Sequence, residues 1–298
     1  MQTHVKTNDK KDLIPKSFLQ SGNNLPITTS ISFKHPIIQD IIDIDKEHFG
    51  LYSEDIYYSM INVFLTDPYD YMVFLDDKGI DYETVNSFDV FCLLFNDYIE
   101  RIQTLSNEYS EEQITKLFQN NIYFSAFKFF LGIESFFIAK DENGNKVIGY
   151  GEDQFLMDST IYDYITEFIR KINGIQDSEK IYPEDEWAKQ ILIEDERERL
   201  KKQAKKHKNG EEETNKNRLG NLISSLTWSC NGGVTPFNRN QLHMYDLVDG
   251  INRTDKLLSY KNTMTGLYAG CIEKKNIKKI FLTLKFIICG IELSVLLI

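Results

Sequence analysis

The residues with the clearest chemical spacing lie in the segment that begins at Asp141. Position 6 of an EF-hand frame needs a glycine for its sharp turn, and here it is Lys146. Asn143-Gly144 stands between two apolar runs, which is a strong signal for a hairpin turn. The sequence therefore predicts that residues 134–140 and 146–150 form a hairpin. A Ca²⁺-binding loop is the alternative. The calcium alternative rests on four side chains at positions 1, 3, 5 and 12 of the frame: Asp141, Asn143, Asn145 and Glu152.

Histidines and cysteines, the usual ligands of transition metals, are scattered along the chain. The five histidines show neither HxxxH nor HExxH spacing, and the four cysteines form no CxxC pair. A metal site would have to be assembled from distant segments. We therefore predict no metal and no cofactor. We also expect reduced thiols in a cytoplasmic protein, with Cys92 as a small core residue.

Motifs of nucleophilic catalysis and nucleotide binding are absent from the sequence. There is no GxSxG elbow, no GxxxxGK[ST] loop and no GxGxxG turn. With 45 Asp and Glu, a catalytic carboxylate pair can be drawn in many places, so no single pair gains weight. We predict a protein that is not an enzyme. A carboxylate-based enzyme is the alternative of another class.

Charge is unevenly distributed in this acidic chain. The 34 Lys and Arg against 45 Asp and Glu give a net charge of −11 at pH 7, so no nucleic-acid partner is expected. Residues 40–112 hold 18 Asp or Glu against 3 Lys or Arg. This acidic stretch is either the solvated face of amphipathic helices or a surface that recruits a basic partner segment.

Most of the elements that must position a site are predicted to be helices, because helical periodicity prevails in the sequence. Helices are predicted to begin at Ser53, at Asp67-Pro68, at Ser87, at Asp158 or Ser159, and at Pro183. A short strand is predicted over residues 28–34. With the central hairpin, the fold class is mainly α with a small antiparallel hairpin or sheet, an α+β arrangement. Two apolar faces are the clearest: Phe88, Phe91, Cys92, Phe95, Ile99 and Ile102 in one helix, and Ile161, Tyr164, Ile165, Phe168 and Ile172 in another.

Composition divides the chain into five segments. The polar run 209–217 reads NGEEETNKN and is predicted to be a disordered linker, which gives the best domain boundary. The helix before this run is acidic first and basic last, with a solvated second half. The predicted segments are a flexible N-terminal arm (1–30), a helical domain with the central hairpin (31–183), a charged helix and linker (184–217), a small C-terminal helical unit (218–275) and a Lys-flanked apolar tail (276–298).

The apolar run of the tail, residues 280–298, has 19 residues and is long enough to cross a bilayer. It contains Lys285 and Glu292, and both charges are costly at bilayer depth. We therefore expect a docking helix or an irregular tail in preference to membrane contact. A frameshift extension stays open as well.

Several stretches of the chain resemble one family. FKHPIIQDIIDID, YYSMINVFLTDPYDYMVFLDDKGIDYETV and FDVFCLLF are similar to small tail-module proteins from phages and prophages of Firmicutes. The shared steps are His35-Pro36 after a strand and Gly79-Ile80-Asp81-Tyr82 after a helix. IEDERERLKKQAKK and residues 223–272 are similar to the family's C-terminal half. The resemblance covers about residues 14–275, and the apolar tail departs from it.

The resemblance implies a non-enzymatic tail assembly protein. Genes of this kind usually lie beside the tape-measure gene, and their products are interpreted as tail assembly chaperones or minor tail proteins. The expected partners are the phage tape-measure and tail-tube proteins, with self-association open. The expected location is the host bacterial cytoplasm. A structural minor tail or neck protein, located in the virion, is the alternative.

Aromatic side chains are the candidate anchors for such a partner. A chaperone of this kind would bury apolar faces of a partner helix, and aromatic residues tend to carry interface energy. We expect the anchors to be exposed on helices. The candidates are Tyr57, Tyr58, Tyr69 and Tyr71.

Overall fold

The computed structural model describes residues 13–46, 52–105, 121–152, 154–176, 180, 182–208, 218–229 and 234–269. Within these residues ten α-helices and two small antiparallel sheets confirm the predicted fold class. The helices are α1 (Lys16–Gln20), α2 (Ile38–Ile42), α3 (Ser53–Asn62), α4 (Met72–Asp77), α5 (Ser87–Leu105), α6 (Ile122–Leu131), α7 (Ser159–Asn173), α8 (Glu186–Lys208), α9 (Arg218–Trp228) and α10 (Met244–Tyr268).

The predicted central hairpin is present and gains a third strand. Ile138 pairs with Ile148 across the hairpin, and the last strand pairs with the second after a register shift at Gly149. The third strand was not predicted, because its sequence, QFLM, lacks polar and apolar alternation. The strand expected over residues 28–34 is only two residues long. The strands are β1 (Leu25–Pro26), β2 (Ser32–Phe33), β3 (Phe136–Lys140), β4 (Lys146–Tyr150) and β5 (Gln154–Met157).

Side-chain caps fix several helix ends where the sequence predicted them. The Asp67 carboxylate accepts the Tyr69 N–H at 3.1 Å, and Pro68 follows at the first position of a 3₁₀ turn that leads into α4. The Asp158 carboxylate accepts the Ile161 N–H at 3.0 Å and starts α7. Gly174 ends α7 at φ +64°, a left-handed conformation that glycine adopts without steric cost.

The main core is rich in aromatic side chains and lies between α3, α5, α6 and α7. The predicted face of α5 is buried, with Phe91 and Cys92 fully inaccessible. The predicted face of α7 was partly wrong: Tyr164 is 39% exposed, and Tyr162 is buried instead. Tyr162 can enter the core because its hydroxyl lies 2.7 Å from the Thr66 Oγ1 and is therefore hydrogen-bonded.

The predicted flexible arm needs correction in its described part. Ile14, Leu19 and Leu25 are buried in the main core, and the backbone N–H groups of Leu13 and Ile14 donate to the Glu167 carboxylate. These apolar residues are too widely spaced to give a periodic signal, so only tertiary contacts reveal their burial. Residues 1–12 lie outside the described residues.

The C-terminal module, defined here as α9, α10 and the described residues between them, shares the main core. Leu219 and Leu226 of α9 are buried in it, as are Met244 and Leu247 of α10. Helix α10 packs against both α9 and α7. The predicted boundary at 209–217 lies outside the described residues. Helix α9, which follows it, packs into the main core, whereas α8, which precedes it, packs into a second cluster.

Helix α8 packs against α4 and contributes to a second, smaller cluster. Ile193 is buried, whereas Trp187 and Ile191 are 73% and 39% exposed. Lys189, Ile193 and Arg197 are spaced by four residues, so they share the face that meets α4. The second cluster is built on Leu75, Tyr82, Val90 and Ile193.

None of the helices in the described segments is both long and apolar enough to span a membrane. The apolar run 280–298 lies outside those segments, so the alternatives for it stay predictions.

Candidate partner-binding surfaces

Tyr57, the first predicted anchor, is a core residue. Its side chain is completely inaccessible, and its hydroxyl donates to the Asn173 Oδ1 at 3.0 Å. Burial raises the pKa of this phenol far above its usual range. The expectation that Tyr57 is exposed was wrong, because α3 packs on both α2 and α6 and turns this residue inward.

The other three predicted anchors are half-buried. The Tyr58 ring lies 5.7 Å from that of Tyr57. Tyr69 packs in the second cluster, with the Lys180 Nζ 4.8 Å from its ring centroid. Tyr71 also packs there, and burial raises the pKa of its phenol. Tyr58, Tyr69 and Tyr71 keep some exposed surface, and their role as anchors stays a prediction.

Among the described residues, three of the four most exposed large apolar side chains lie in the C-terminal module, and the fourth is Trp187 of α8 at 73%. Phe237 is 95% exposed, Tyr268 is 83% exposed and Trp228 is 68% exposed, and all three belong to the C-terminal module. Leu257 and Leu258 of α10 are 39% and 46% exposed. Sequence reasoning missed these residues. Phe237 stands alone in a polar loop, and the exposure of a helix residue depends on which neighbours cover it.

Within the described residues, the first half of helix α10 is more deeply buried than its second half. At 1.5 Å per residue, the 25 residues of α10 span about 37 Å and the 11 residues of α9 only about 16 Å. Met244 and Leu247 are buried, and Gly250 meets Leu226 of α9 so closely that an added Cβ would lie 3.2 Å from that side chain. The second half of α10 extends beyond this contact.

The second half of α10 has the spacing of a helix-packing seam. Leu257, Tyr260, Met264 and Leu267 follow each other at intervals of three, four and three residues. This spacing places them along one side of the helix, as in the apolar seam of a coiled coil. Leu257 is exposed, and Met264 and Leu267 are half-buried. We call these four residues the α10 seam.

Part of the acidic stretch is neutralised by the chain's own cations. Lys189 is nearly inaccessible, and its hydrogen bond to Asp81 holds the pKa of that carboxyl below its usual range. A basic segment that partners these acids is therefore helix α8 itself. The N–O distances are 2.5 Å for Lys189–Asp81, 3.1 Å for Lys189–Glu83, 3.0 Å for Arg197–Asp76 and 2.9 Å for Arg197–Asp77.

Further acids of this stretch bind other cations, and Asp67 and Asp97 each bind a second one, Arg170 and Arg101. Because these pairs are dispersed, the acids do not converge on one point as those of a carboxylate-based site would. The N–O distances are 2.8 Å for Lys34–Asp40, 2.8 Å for Lys180–Asp67, 2.8 Å for Lys146–Asp89 and 2.9 Å for Lys78–Asp97.

The Asp141 segment is the turn between β3 and β4, which confirms the predicted hairpin. The Asp141 carboxylate accepts the backbone N–H groups of Asn143 and Asn145 at 2.9 and 2.8 Å and the Asn145 side-chain amide at 3.1 Å. The side-chain bond, followed by the backbone bonds, lowers the pKa of this carboxyl. Gly144 has φ +84°, as such a turn requires. Among the described residues, no three His, Cys, Asp or Glu side chains are grouped as a metal ion requires.

A histidine pair lies where the C-terminal module meets the rest of the chain. His35 is 2% exposed, and its ring centroid lies 4.6 Å from that of His243 and 5.4 Å from that of Phe168. Neither ring nitrogen of His35 has a hydrogen bond of good geometry among the described residues, although the Asn23 backbone is close enough to favour the protonated ring. Burial lowers the pKa of His35 to about 4, with a further contribution from His243. Sequence reasoning missed this pair, because 208 residues separate its members.

One family profile matches part of the chain. Residues 205–281 match the family described as the YomV second domain. This match supports a phage-derived origin for that part of the chain, which includes the whole C-terminal module. No curated protein and no solved structure matches the chain.

Proposed function

We propose that this chain is a non-enzymatic phage tail assembly protein, a chaperone that binds the helical tape-measure protein and assists tail-tube assembly. The observation that carries the proposal is the α10 seam, an apolar series with Leu257 exposed and its other members half-buried, on the segment that matches a phage-derived family. Its place of action would be the host bacterial cytoplasm. No metal or cofactor enters the proposed activity.

The shape of the seam favours a helix as the partner. The seam is convex and straight, about 15 Å from Leu257 to Leu267 at 1.5 Å per residue. A second helix with apolar residues at the same spacing can interdigitate with it along that length. A long helical protein such as a tape-measure protein would offer such stretches repeatedly.

Exposed aromatic side chains near the seam in sequence can add to the binding energy. Tyr268 lies on α10 itself, and Trp228 and Phe237 belong to the same module. Burial of apolar surface is worth about 25 cal/mol per Å², so a few such side chains can decide whether a helix binds. Tyr58, Tyr69 and Tyr71 would then play at most a secondary role, since each is already half-buried.

The binding test compares two exposed leucines of nearly equal accessibility. Leu257 on the seam is 39% exposed and Leu200 on α8 is 41% exposed. The full chain is immobilised, and overlapping helical fragments of the neighbouring tape-measure protein are passed over it. We expect Leu257→Ser to weaken retention at least about tenfold, or about 1.4 kcal/mol. Leu200→Ser should leave it unchanged.

Two outcomes would count against the proposal. One is that the unmodified chain retains no tape-measure fragment even at low salt. The other is that the two serine variants bind alike, which would move the surface away from α10. Light scattering on the same variants would detect self-association through the seam.

A structural minor tail or neck protein is the second candidate, and the family match supports it equally. Mass spectrometry of purified virions separates the two functions. A chaperone should be missing from virions, and a structural protein should be present in stoichiometric copies.

A further inference from the structure

We propose that the His35–His243 pair is an acid-sensitive contact that weakens docking of the C-terminal module as the pH falls. The proposal does not depend on the tail assembly function. It concerns the seam where residues 35–39 meet residues 239–244, which we call the histidine seam.

Backbone hydrogen bonds run through the histidine seam in both directions. The Ile38 N–H donates to the Leu242 carbonyl at 2.9 Å, and the Met244 N–H donates to the Pro36 carbonyl at 3.0 Å. Ile37 and His243 form an antiparallel bridge. A change in the separation of the two histidines therefore acts directly on the bonds that hold α10 in place.

The position of His243 leaves little space for rearrangement. Its Nδ1 lies 3.2 Å from the His35 carbonyl oxygen. On its other side is Gly22, where an added Cβ would lie 2.5 Å from the His243 Nε2. The two rings cannot separate as charged groups unless the seam itself opens.

Among the described residues, no ion pair or hydrogen bond joins a carboxylate to the His35 ring. The ring packs on Phe168 of α7. In the loop before β1 the Asn23 backbone favours the protonated ring, but by less than burial and His243 disfavour it, and the Asn24 side chain accepts the His35 backbone N–H. On α10 the half-buried Asp246 interacts with His243. The other charged groups nearby are Arg239, which lies in the seam itself, and the ion pairs Lys34–Asp40, Lys171–Glu167 and Lys16–Asp249.

The direction of the pH effect follows from this environment. A histidine whose pKa is lower in the docked state than in the open state favours docking at neutral pH. That contribution is complete above the ordinary value of 6.5 and is lost as the pH falls toward the docked value of about 4. For one proton, docking weakens by up to about tenfold per pH unit within this window.

Hydrogen exchange measured by mass spectrometry on the full chain tests the proposal. Peptides that contain the Ile38 and Met244 amides are compared with peptides of α5, at about pH 7 and about pH 5, after correction for intrinsic exchange. We expect the seam amides to open about tenfold or more in acid relative to α5. The His35→Phe variant, which keeps an aromatic ring against Phe168, should lose this response.

A matched variant distinguishes general destabilisation of the histidine seam from a response to protonation of His35. The Asn240 Nδ2 donates to the Gln39 Oε1 at 3.1 Å across the same seam. Gln39→Ala should raise exchange by a similar factor at both pH values and keep the acid response. An unchanged seam in acid, or an equal acid response in His35→Phe, would overturn the proposal.

A pH titration of the histidine ring signals by NMR tests the proposal on the unmodified chain. A His35 midpoint well below 6.5 is expected, and an ordinary midpoint would refute the proposal even if His35→Phe failed to fold.

Discussion

Buried tyrosine hydroxyls show how single residues set the chemistry of the core. Tyr57, Tyr82 and Tyr162 are all at most 2% exposed. The hydroxyl of Tyr57 donates to Asn173, and that of Tyr162 pairs with Thr66, whereas the Tyr82 hydroxyl in the second cluster has no hydrogen-bond partner among the described residues. A buried hydroxyl without a partner costs about 1–3 kcal/mol, so these bonds allow large amphipathic rings to fill the core. Tyrosines that looked like candidates for partner binding can therefore be stabilising residues of the core.

The Tyr57→Phe variant separates those two roles. It removes the bond to Asn173 and keeps the ring, so the free energy of unfolding should fall by about 1 kcal/mol in a denaturant titration. Binding of tape-measure fragments should not change. The matched control is Tyr164→Phe, which alters a 39% exposed residue and should leave stability unaffected. A loss of binding without a loss of stability would restore Tyr57 as an anchor.

At the scale of elements, helix α8 is attached through one charged and apolar stripe. Lys189, Ile193 and Arg197 face α4 and the loop that follows it, and they contact four acids and the second cluster. Beyond Arg197 the helix carries exposed lysines and an exposed Leu200. The first half of α8 is therefore held by tertiary contacts, and the second half by its own helical hydrogen bonds.

Removing the buried cation of α8 should loosen this attachment. We expect Lys189→Ala to cost about 1–2 kcal/mol, between the values typical of exposed and of buried pairs. The control, Lys202→Ala, removes an exposed pair with Glu198 at 3.4 Å and should have no measurable effect. Thermal unfolding and exchange of α8 amides report both variants. Equal effects would show that the pairs of Lys189 contribute nothing beyond surface charge.

The contact between Lys189 and Asp81 should also make the stability of the fold depend on pH, through the Asp81 carboxylate. The pKa of Asp81 is held below its ordinary value, so the pair with Lys189 stabilises the fold above about pH 4 and this contribution is lost as the pH falls further. The unmodified chain should therefore lose more stability below about pH 4 than Lys189→Ala does.

At the scale of the whole molecule, the described parts of the predicted helical domain (31–183) and of the predicted C-terminal helical unit (218–275) share one core. Residues from α1 at one end and α10 at the other pack into the same cluster. The Lys16–Asp249 pair, at 3.3 Å, also joins these distant segments. A shared core of this kind should unfold in one cooperative transition.

Truncation tests this cooperativity. A chain that ends at residue 208 lacks the C-terminal module and exposes the apolar surface that Leu219, Met244 and Leu247 cover, so its Tm should fall by several degrees or more. A chain that ends at residue 269 keeps every described residue and should retain the full Tm. An unchanged Tm in the shorter chain would mean two independent domains. Calorimetry measures all three.

The sequence by itself determined the class of the fold and many helix boundaries, because these depend on neighbours within a few residues. The caps at Asp67 and Asp158 and the face of α5 all arise from local periodicity and hydrogen bonding. The turn at Asp141 is local for the same reason, so a hairpin could be preferred to a calcium loop.

Only the tertiary structure decided which helix faces are covered and which charges meet. Tyr57 and Leu257 both lie on apolar stripes, yet one is buried and the other exposed, because α3 has neighbours along its length and α10 outruns the neighbour that covers its first half. His35 and His243, like Lys189 and Asp81, lie far apart in the chain. Burial and ion pairing between distant segments depend on how the chain folds back on itself, and no local pattern of residues encodes that.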